Sequence, residues 1–165
     1  MTKQKPFQML RRDDAVVELG KFLDSEDEDY FLRYLLLLCE GPFRCREERL
    51  VSSAFQFYCC TESGGLFTYF EMQPGHAASG VEAFTVIGLP EVAEIILKGL
   101  ELLSLGPDAS EDAIRKASSY VAEHNFDVFI DNDEPLQERI DDQIDFIYDA
   151  IADYIRKNAD LLLSQ

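Results

Sequence analysis

Apolar positions recur at three- and four-residue spacing along most of the chain, and no segment of four or more residues alternates convincingly between apolar and polar side chains. The first spacing is typical of α-helices with one buried side, whereas alternation would indicate half-buried strands. The pattern therefore predicts an all-α protein, a single compact domain of about seven or eight helices over residues 1–165.

Helix-capping residues and helix breakers divide this pattern into segments. The predicted helices are AVVELGKFL after Asp13 and Asp14, YFLRYLLLLCE after the acidic run Asp24–Asp29 and ending at Gly41 and Pro42, REERLVSSAFQFYCC, GVEAFTVIG, EVAEIILKGLELL after Pro90, EDAIRKASSYVAEHN capped by Ser110, and a last, longest helix opened by Pro135. TESGG is predicted to break the chain and QPGHAAS to form a loop, with a short aromatic segment, LFTYFEM, between them. The pattern in FDVFIDNDE does not clearly predict a helix or a strand.

The last predicted helix carries two rows of side chains about half a turn apart. Its apolar stripe consists of Leu136, Ile140, Ile144, Ile147, Ile151, Tyr154 and Ile155. Its acidic row consists of Glu138, Asp142, Asp145, Asp149 and Asp153. The stripe is expected to face the core and the row to face solvent. Members of the row should follow one another every ~5–6 Å along the helix axis, comparable to the ~3.4 Å between charges along one DNA strand.

The charge balance of the whole chain bears on the function of this row. The chain has 32 Asp and Glu against 15 Lys and Arg, a formal net charge of −17. Binding to phosphates needs a basic surface, so direct binding of nucleic acid is disfavoured. An acidic field of this size instead fits a basic partner or bound cations.

The C-terminal third concentrates this charge, with eleven acidic residues from Glu123 to Asp153 and one basic residue, Arg139. A merely solvated helix face mixes charges of both signs, because like charges one turn apart repel. We therefore predict a partner-binding surface that comprises Glu134, Glu138, Asp141, Asp142, Asp145, Asp149 and Asp153, with support from the run that includes Asp27, Glu28 and Asp29.

The remaining sequence features predict a cytoplasmic protein. The N-terminal MTKQKPFQMLRRDD lacks the apolar region of a signal peptide. The most apolar run, Tyr30–Cys39, is too short to span a bilayer and contains Arg33. The four cysteines form no C-x-x-C pair and are expected to be buried, reduced thiols.

The segment Ser63–Ile96 combines a glycine turn, an aromatic pair, a glycine-rich loop and a helix that ends in Ile-Gly before a second helix. This order resembles the core pattern of a bacterial family of domains of unknown function, whose turn is of the N-G-G-F type. Members also tend to end with an acidic stretch that leads into a helix closed by a motif like YIRKN, as in Leu136–Asn158 here. The resemblance covers residues 46–163.

That family includes a small acidic DNA-mimic protein. The resemblance implies an all-α homodimer that occupies the DNA-binding surface of a transcriptional regulator and keeps it off DNA. The apolar surplus of Tyr30–Cys39 is a further reason to expect a dimer. The turn departs from the family pattern at Ser63 and Leu66. Its glycines are expected to permit a tight bend, and Phe67, Tyr69 and Phe70 to pack into the core.

Two other functions use the same residues. An immunity-type inhibitor of a basic nuclease would depend on the same electrostatics. An all-α nucleotide pyrophosphohydrolase would instead need carboxylates that converge on Mg²⁺, with Glu91, Glu94, Asp141, Asp142 and Asp145 as the candidates. The acids are predicted to spread along a face, so the sequence favours a binding protein without enzymatic activity, cofactor or metal.

Overall fold

The computed structural model describes residues 13–39 and 42–164, and this part of the chain contains eight α-helices and no strand. The helices are α1 (Asp13–Ser25), α2 (Glu28–Cys39), α3 (Arg46–Met72), α4 (Pro74–Ile87), α5 (Pro90–Leu102), α6 (Glu111–His124), α7 (Phe126–Lys157) and α8 (Ala159–Leu163). They pack into one compact domain, which confirms the predicted all-α class.

The core forms where α3 packs against α4 and α7, while α5 covers both α4 and α7. Fully buried aromatic rings fill its centre. The Phe57 ring meets those of Tyr69 and Phe84 edge-on, with centroids 5.1 and 5.0 Å away. Because α3 and α5 both pack on α7, that helix is held along much of its length and keeps one side for solvent.

The predicted break at TESGG is a kink inside α3, where two helical segments meet. The chain is non-helical only at Gly65, where φ is 79° and ψ is −177°, a conformation that is essentially restricted to glycine. The result is a kink within one long helix instead of a loop. Phe67, Tyr69 and Phe70 follow the kink and are buried, as predicted.

The prediction that QPGHAAS forms a loop is wrong, because Pro74–Ile87 form helix α4. Pro74 stands in the first turn of α4, where its missing N–H costs no hydrogen bond and its fixed φ suits a helix. His76 is therefore a helical residue. Burial lowers the pKa of its imidazole, and its Nδ1 lies 3.2 Å from the Ser53 hydroxyl.

The predicted start of the last helix is also wrong. Helix α7 begins at Phe126, and Pro135 lies inside it. A proline inside a helix costs ~3 kcal/mol, so something must hold the turns before it. Phe129 is buried with its ring centroid 5.0 Å from that of Phe67, and Phe126 lies 5.2 Å from the same ring. This packing keeps FDVFIDNDE helical.

The apolar run in α2 is largely absorbed by the core. Phe31, Tyr34, Leu35, Leu37 and Leu38 are buried. Leu32 and Leu36, one turn apart, remain exposed. Helix α2 is described as far as Cys39, and Gly41, its predicted terminator, lies outside the described residues.

The four cysteines carry reduced thiols, and only Cys60 among them is fully buried. The other three are half-buried, so the prediction of buried thiols is fully confirmed only for Cys60. Burial raises the pKa of the Cys59 thiol to about 11. No helix within residues 13–39 and 42–164 is long and apolar enough to cross a membrane.

Candidate acidic binding surface

Helix α7 has two opposite sides, as its sequence predicts. The predicted stripe is buried apart from Ile144, which is half-buried. At ~100° per residue, the buried side centres about half a turn from Glu138. The acidic side chains are therefore carried by a helix whose other side is fixed in the core.

All seven acidic residues predicted on this helix are exposed. The extra turns before Pro135 add Asp127 and Asp131 to the same side, and both are exposed. We call the combined set the acidic face: Asp127, Asp131, Glu134, Glu138, Asp141, Asp142, Asp145, Asp149 and Asp153. At ~1.5 Å per residue it extends ~39 Å along α7, against ~22 Å for the predicted row.

Asp133 does not belong to this face, although it counts toward the acidic stretch in the sequence. Its side chain points to the buried side of α7 and is only 6% exposed. Burial raises the pKa of its carboxyl from 3.8 to about 6. One of the acids in the C-terminal stretch is therefore a core residue whose charge the fold disfavours.

Two arginines on α7, Arg139 and Arg156, are paired with acids. Arg139 donates a hydrogen bond to Glu94 on α5, at 3.2 Å, and so leans away from the face. Arg156 donates to Asp153 at 3.0 Å and lies over the ring of Phe22 on α1. Arg156 ends the face on its C-terminal side.

The turn between α1 and α2 brings further acids to this end. Glu28 lines a cleft of ~340 Å³ together with Asp149 and Asp153, and aromatic rings form its inner wall. Asp27 has a local role, since its carboxylate accepts the Asp29 backbone N–H at 2.8 Å and caps α2. The structure therefore joins Glu28 to the acidic face, whereas Asp27 and Asp29 are exposed beside it.

Helix α3 supplies an acid that the sequence does not predict as part of the surface. Burial raises the pKa of the Tyr58 hydroxyl, and the charges of Glu62 and Asp145 raise it further. Glu62 is exposed on α3, and both it and Asp145 of the acidic face are charged neighbours of Tyr58. It falls in the TESGG segment, and its place on a helix follows only once α3 is known to continue to Gly65.

The candidate magnesium ligands do not come together. Glu91 accepts a hydrogen bond from Gln143 at 3.0 Å, and Glu94 binds Lys98 and Arg139. Those contacts hold the α5 acids to their basic and amide neighbours. Asp141, Asp142 and Asp145 point outward on α7. Among the residues with a described placement, no three His, Cys, Asp or Glu side chains form a group suited to a metal ion.

A family model described as DMP19-like protein matches residues 45–158, more than half of the chain. The chain belongs to the DMP19-like protein family. No curated protein and no solved structure matches it. The region that matches the DMP19-like family runs from the N-cap of α3 to the C-cap of α7. It includes the whole acidic face and Glu62, while Glu28 in the first turn of α2 lies before it.

A separate apolar cavity of ~700 Å³ lies within the DMP19-like region, between the end of α5, helix α6 and the first turns of α7. Leu103, Val121 and Phe129 line its inner side, and Tyr120 and Val128 stand at its exposed edge. The sequence does not predict this cavity, because the pattern predicts no clear helix for the first turns of α7, which form one wall.

Proposed function

We propose that this protein is a DNA mimic whose acidic face binds the DNA-binding surface of a transcriptional regulator and blocks its binding to DNA. The observation that carries the proposal is the continuous acidic face on α7. It holds nine exposed carboxylates on one side of one helix, and Arg139 and Arg156 beside it are paired with acids.

The dimensions of the face support this proposal. Its members succeed one another within one helical turn, and their total span is ~39 Å. Half-sites of dimeric DNA-binding proteins lie one turn of duplex apart, ~34–36 Å. A face of this length can therefore present charge over about the distance that a DNA-binding surface covers on one turn of duplex.

The anchoring of α7 also supports it. Most members of the face are Asp, whose short side chain keeps its charge close to the backbone and has little rotamer entropy to lose on binding. The buried stripe fixes the backbone beneath them. A partner would thus meet charges that are already in position, which lowers the cost of binding.

A basic nuclease remains the alternative partner, since an immunity-type inhibitor would use the same field. An inhibitor that plugs a nuclease needs a compact site, whereas the acidic face is long and narrow. The shape of the acidic face favours a partner that ordinarily lies along a DNA duplex. Identification of the bound protein distinguishes a transcriptional regulator from a nuclease.

The test is capture of partners from the native lysate on the immobilised protein, with elution by a salt gradient. The protein that elutes is identified, purified and bound to its own DNA site, and the acidic protein is then added. We expect it to displace the DNA, and we expect Asp142→Asn, Asp145→Asn and Asp149→Asn combined in one variant to lose this ability.

The matched control changes the same number of charges elsewhere. Glu71, Glu101 and Asp108 are exposed and lie outside the acidic face. Their combined change to Gln, Gln and Asn should leave displacement intact. Displacement by the α7 variant equal to that by the unmodified protein would contradict the proposal, as would recovery of a nuclease whose activity is blocked.

We also propose that the protein acts in the cytoplasm as a homodimer. The exposed pair Leu32 and Leu36 offers an apolar contact on α2. Sedimentation equilibrium of the protein and of Leu36→Glu tests this: the variant should be monomeric at concentrations where the unmodified protein is dimeric.

A further inference from the structure

Phe146 stands among the carboxylates of the acidic face. It lies on α7 one turn after Asp142 and one turn before Asp149, so its ring neighbours both. Its side chain is 60% exposed. The acidic face therefore contains a large apolar surface within its charged half, a feature that charge mimicry alone does not need.

The Phe146 ring takes no part in the aromatic packing of residues 13–39 and 42–164. The aromatic and cation–π contacts within residues 13–39 and 42–164 involve other rings, including Phe22, Tyr58 and Tyr148 nearby. Phenylalanine is also a poorer helix former than leucine, glutamate or lysine at an exposed position. Aromatic residues, phenylalanine among them, are enriched at protein interfaces relative to the rest of the surface.

The end of the same face shows which group such a ring can hold. The Arg156 guanidinium lies over the Phe22 ring, 5.2 Å from its centroid, and donates to Asp153 at 3.0 Å. One guanidinium thus contacts an aromatic ring and a carboxylate of the acidic face at once. Phe146 with Asp142 and Asp149 offers the same two chemical partners without an internal arginine between them.

We propose that Phe146, Asp142 and Asp149 form an arginine-selective contact at the centre of the binding surface, and that the partner presents an arginine there. This inference rests on the proposed function and adds a requirement on the partner's chemistry. The guanidinium plane stacks on the ring while its N–H groups donate to the carboxylates. A lysine ammonium is a point charge without a planar face, so it gains less from this arrangement.

The test uses two peptides of equal length and charge, one alternating arginine with alanine and the other lysine with alanine. Their affinities are measured by calorimetry at low ionic strength and at about 0.15 M salt, where the Debye length is ~8 Å. The unmodified protein should prefer the arginine peptide. Phe146→Leu keeps an apolar side chain but removes the ring, and it should weaken binding of the arginine peptide by roughly two- to fivefold while leaving the lysine peptide unchanged.

Phe126→Leu is the matched control, because Phe126 is also exposed on α7 but its ring packs against Phe67. It should leave the preference for arginine intact, and thermal unfolding checks that both variants fold. An unchanged preference in Phe146→Leu overturns this inference and leaves the acidic face standing. If the α7 triple Asn variant binds each peptide as tightly as the unmodified protein does, the acidic face is not a binding surface. That result overturns the proposed function as well.

Discussion

Arg139 on α7 donates a hydrogen bond to Glu94 on α5, with 3.2 Å between nitrogen and oxygen. Glu94 also binds Lys98. The hydrogen bond from Lys98 lowers the pKa of the Glu94 carboxyl most, and the one from Arg139 lowers it further. The one basic residue inside the acidic stretch of the sequence is thus drawn to a neighbouring helix. The acidic face keeps its single sign because α5 provides the partner.

Arg139→Gln should make the acidic face more negative and speed association with the arginine–alanine peptide at low salt, because steering depends on local potential. The effect should fade at high salt. Stopped-flow association rates measure it. Lys98→Gln removes the same charge from α5 and serves as the control: it should have the smaller effect. Equal rate changes in both variants would mean that net charge alone matters.

Neutralising Asp142, Asp145 and Asp149 to Asn should stabilise the fold slightly, because like charges one turn apart repel by a few tenths of a kcal/mol per pair. We expect the free energy of unfolding in urea to rise by up to about 1 kcal/mol at low salt. The gain should shrink as salt screens the charges. A loss of stability would show that these carboxylates make contacts that the fold requires.

Asp133→Asn should stabilise the protein near neutral pH. The folded-state pKa of about 6 lies above the unfolded value of 3.8, so ionisation of this carboxyl destabilises the fold. Its contribution is most favourable below the unfolded pKa and is lost as pH rises through 6. A difference of this size corresponds to at most about 3 kcal/mol above pH 7.

Urea unfolding at several pH values compares the two proteins. The variant should be the more stable above pH 7, and the two curves should converge toward pH 4. Asp131→Asn, at an exposed position on the same helix, is the control and should not change the shape of the pH profile. Parallel profiles for the unmodified protein and Asp133→Asn would show that Asp133 titrates normally.

Gly65→Ala should destabilise the fold by ~1–3 kcal/mol, since a side chain is strained at this φ and ψ. The added Cβ would also lie 3.1 Å from the Gln137 amide oxygen on α7. Gly20→Ala is the control within α1, where a Cβ meets nothing within 4 Å. It should stabilise by ~0.5–1 kcal/mol. Thermal unfolding of both variants measures the contrast, and equal stabilities would rule out strain at the kink.

Side-chain periodicity predicts the two sides of α7 because it is a local property of the helix. Ile147 and Ile151 are buried and Asp145 and Asp149 exposed, as the spacing requires. The capping role of Ser110 is predicted for the same reason, and its hydroxyl accepts the Ala113 N–H at 3.2 Å. Such features depend on residues one turn apart.

Other features depend on contacts between distant segments. Pro135 reads as a helix start, but the turns before it are helical and pack on Phe67 through Phe126 and Phe129. Gly65 reads as part of a break, yet α3 resumes at once because the aromatic residues after it fill the core. Asp133 reads as one more surface acid. Its burial follows from the register of those added turns, which the sequence pattern does not fix.

Arg156 gives the acidic face a direction. Its contacts with Asp153 and Phe22 put a cation at the C-terminal end, whereas the opposite end begins with Asp127 in the first turn of α7. If a basic partner bound in the reverse orientation, the group that had faced Asp127 would face the Arg156 cation and be repelled. The two orientations of any complex built on α7 therefore differ in energy, and the surface can specify the polarity of its partner as well as its charge.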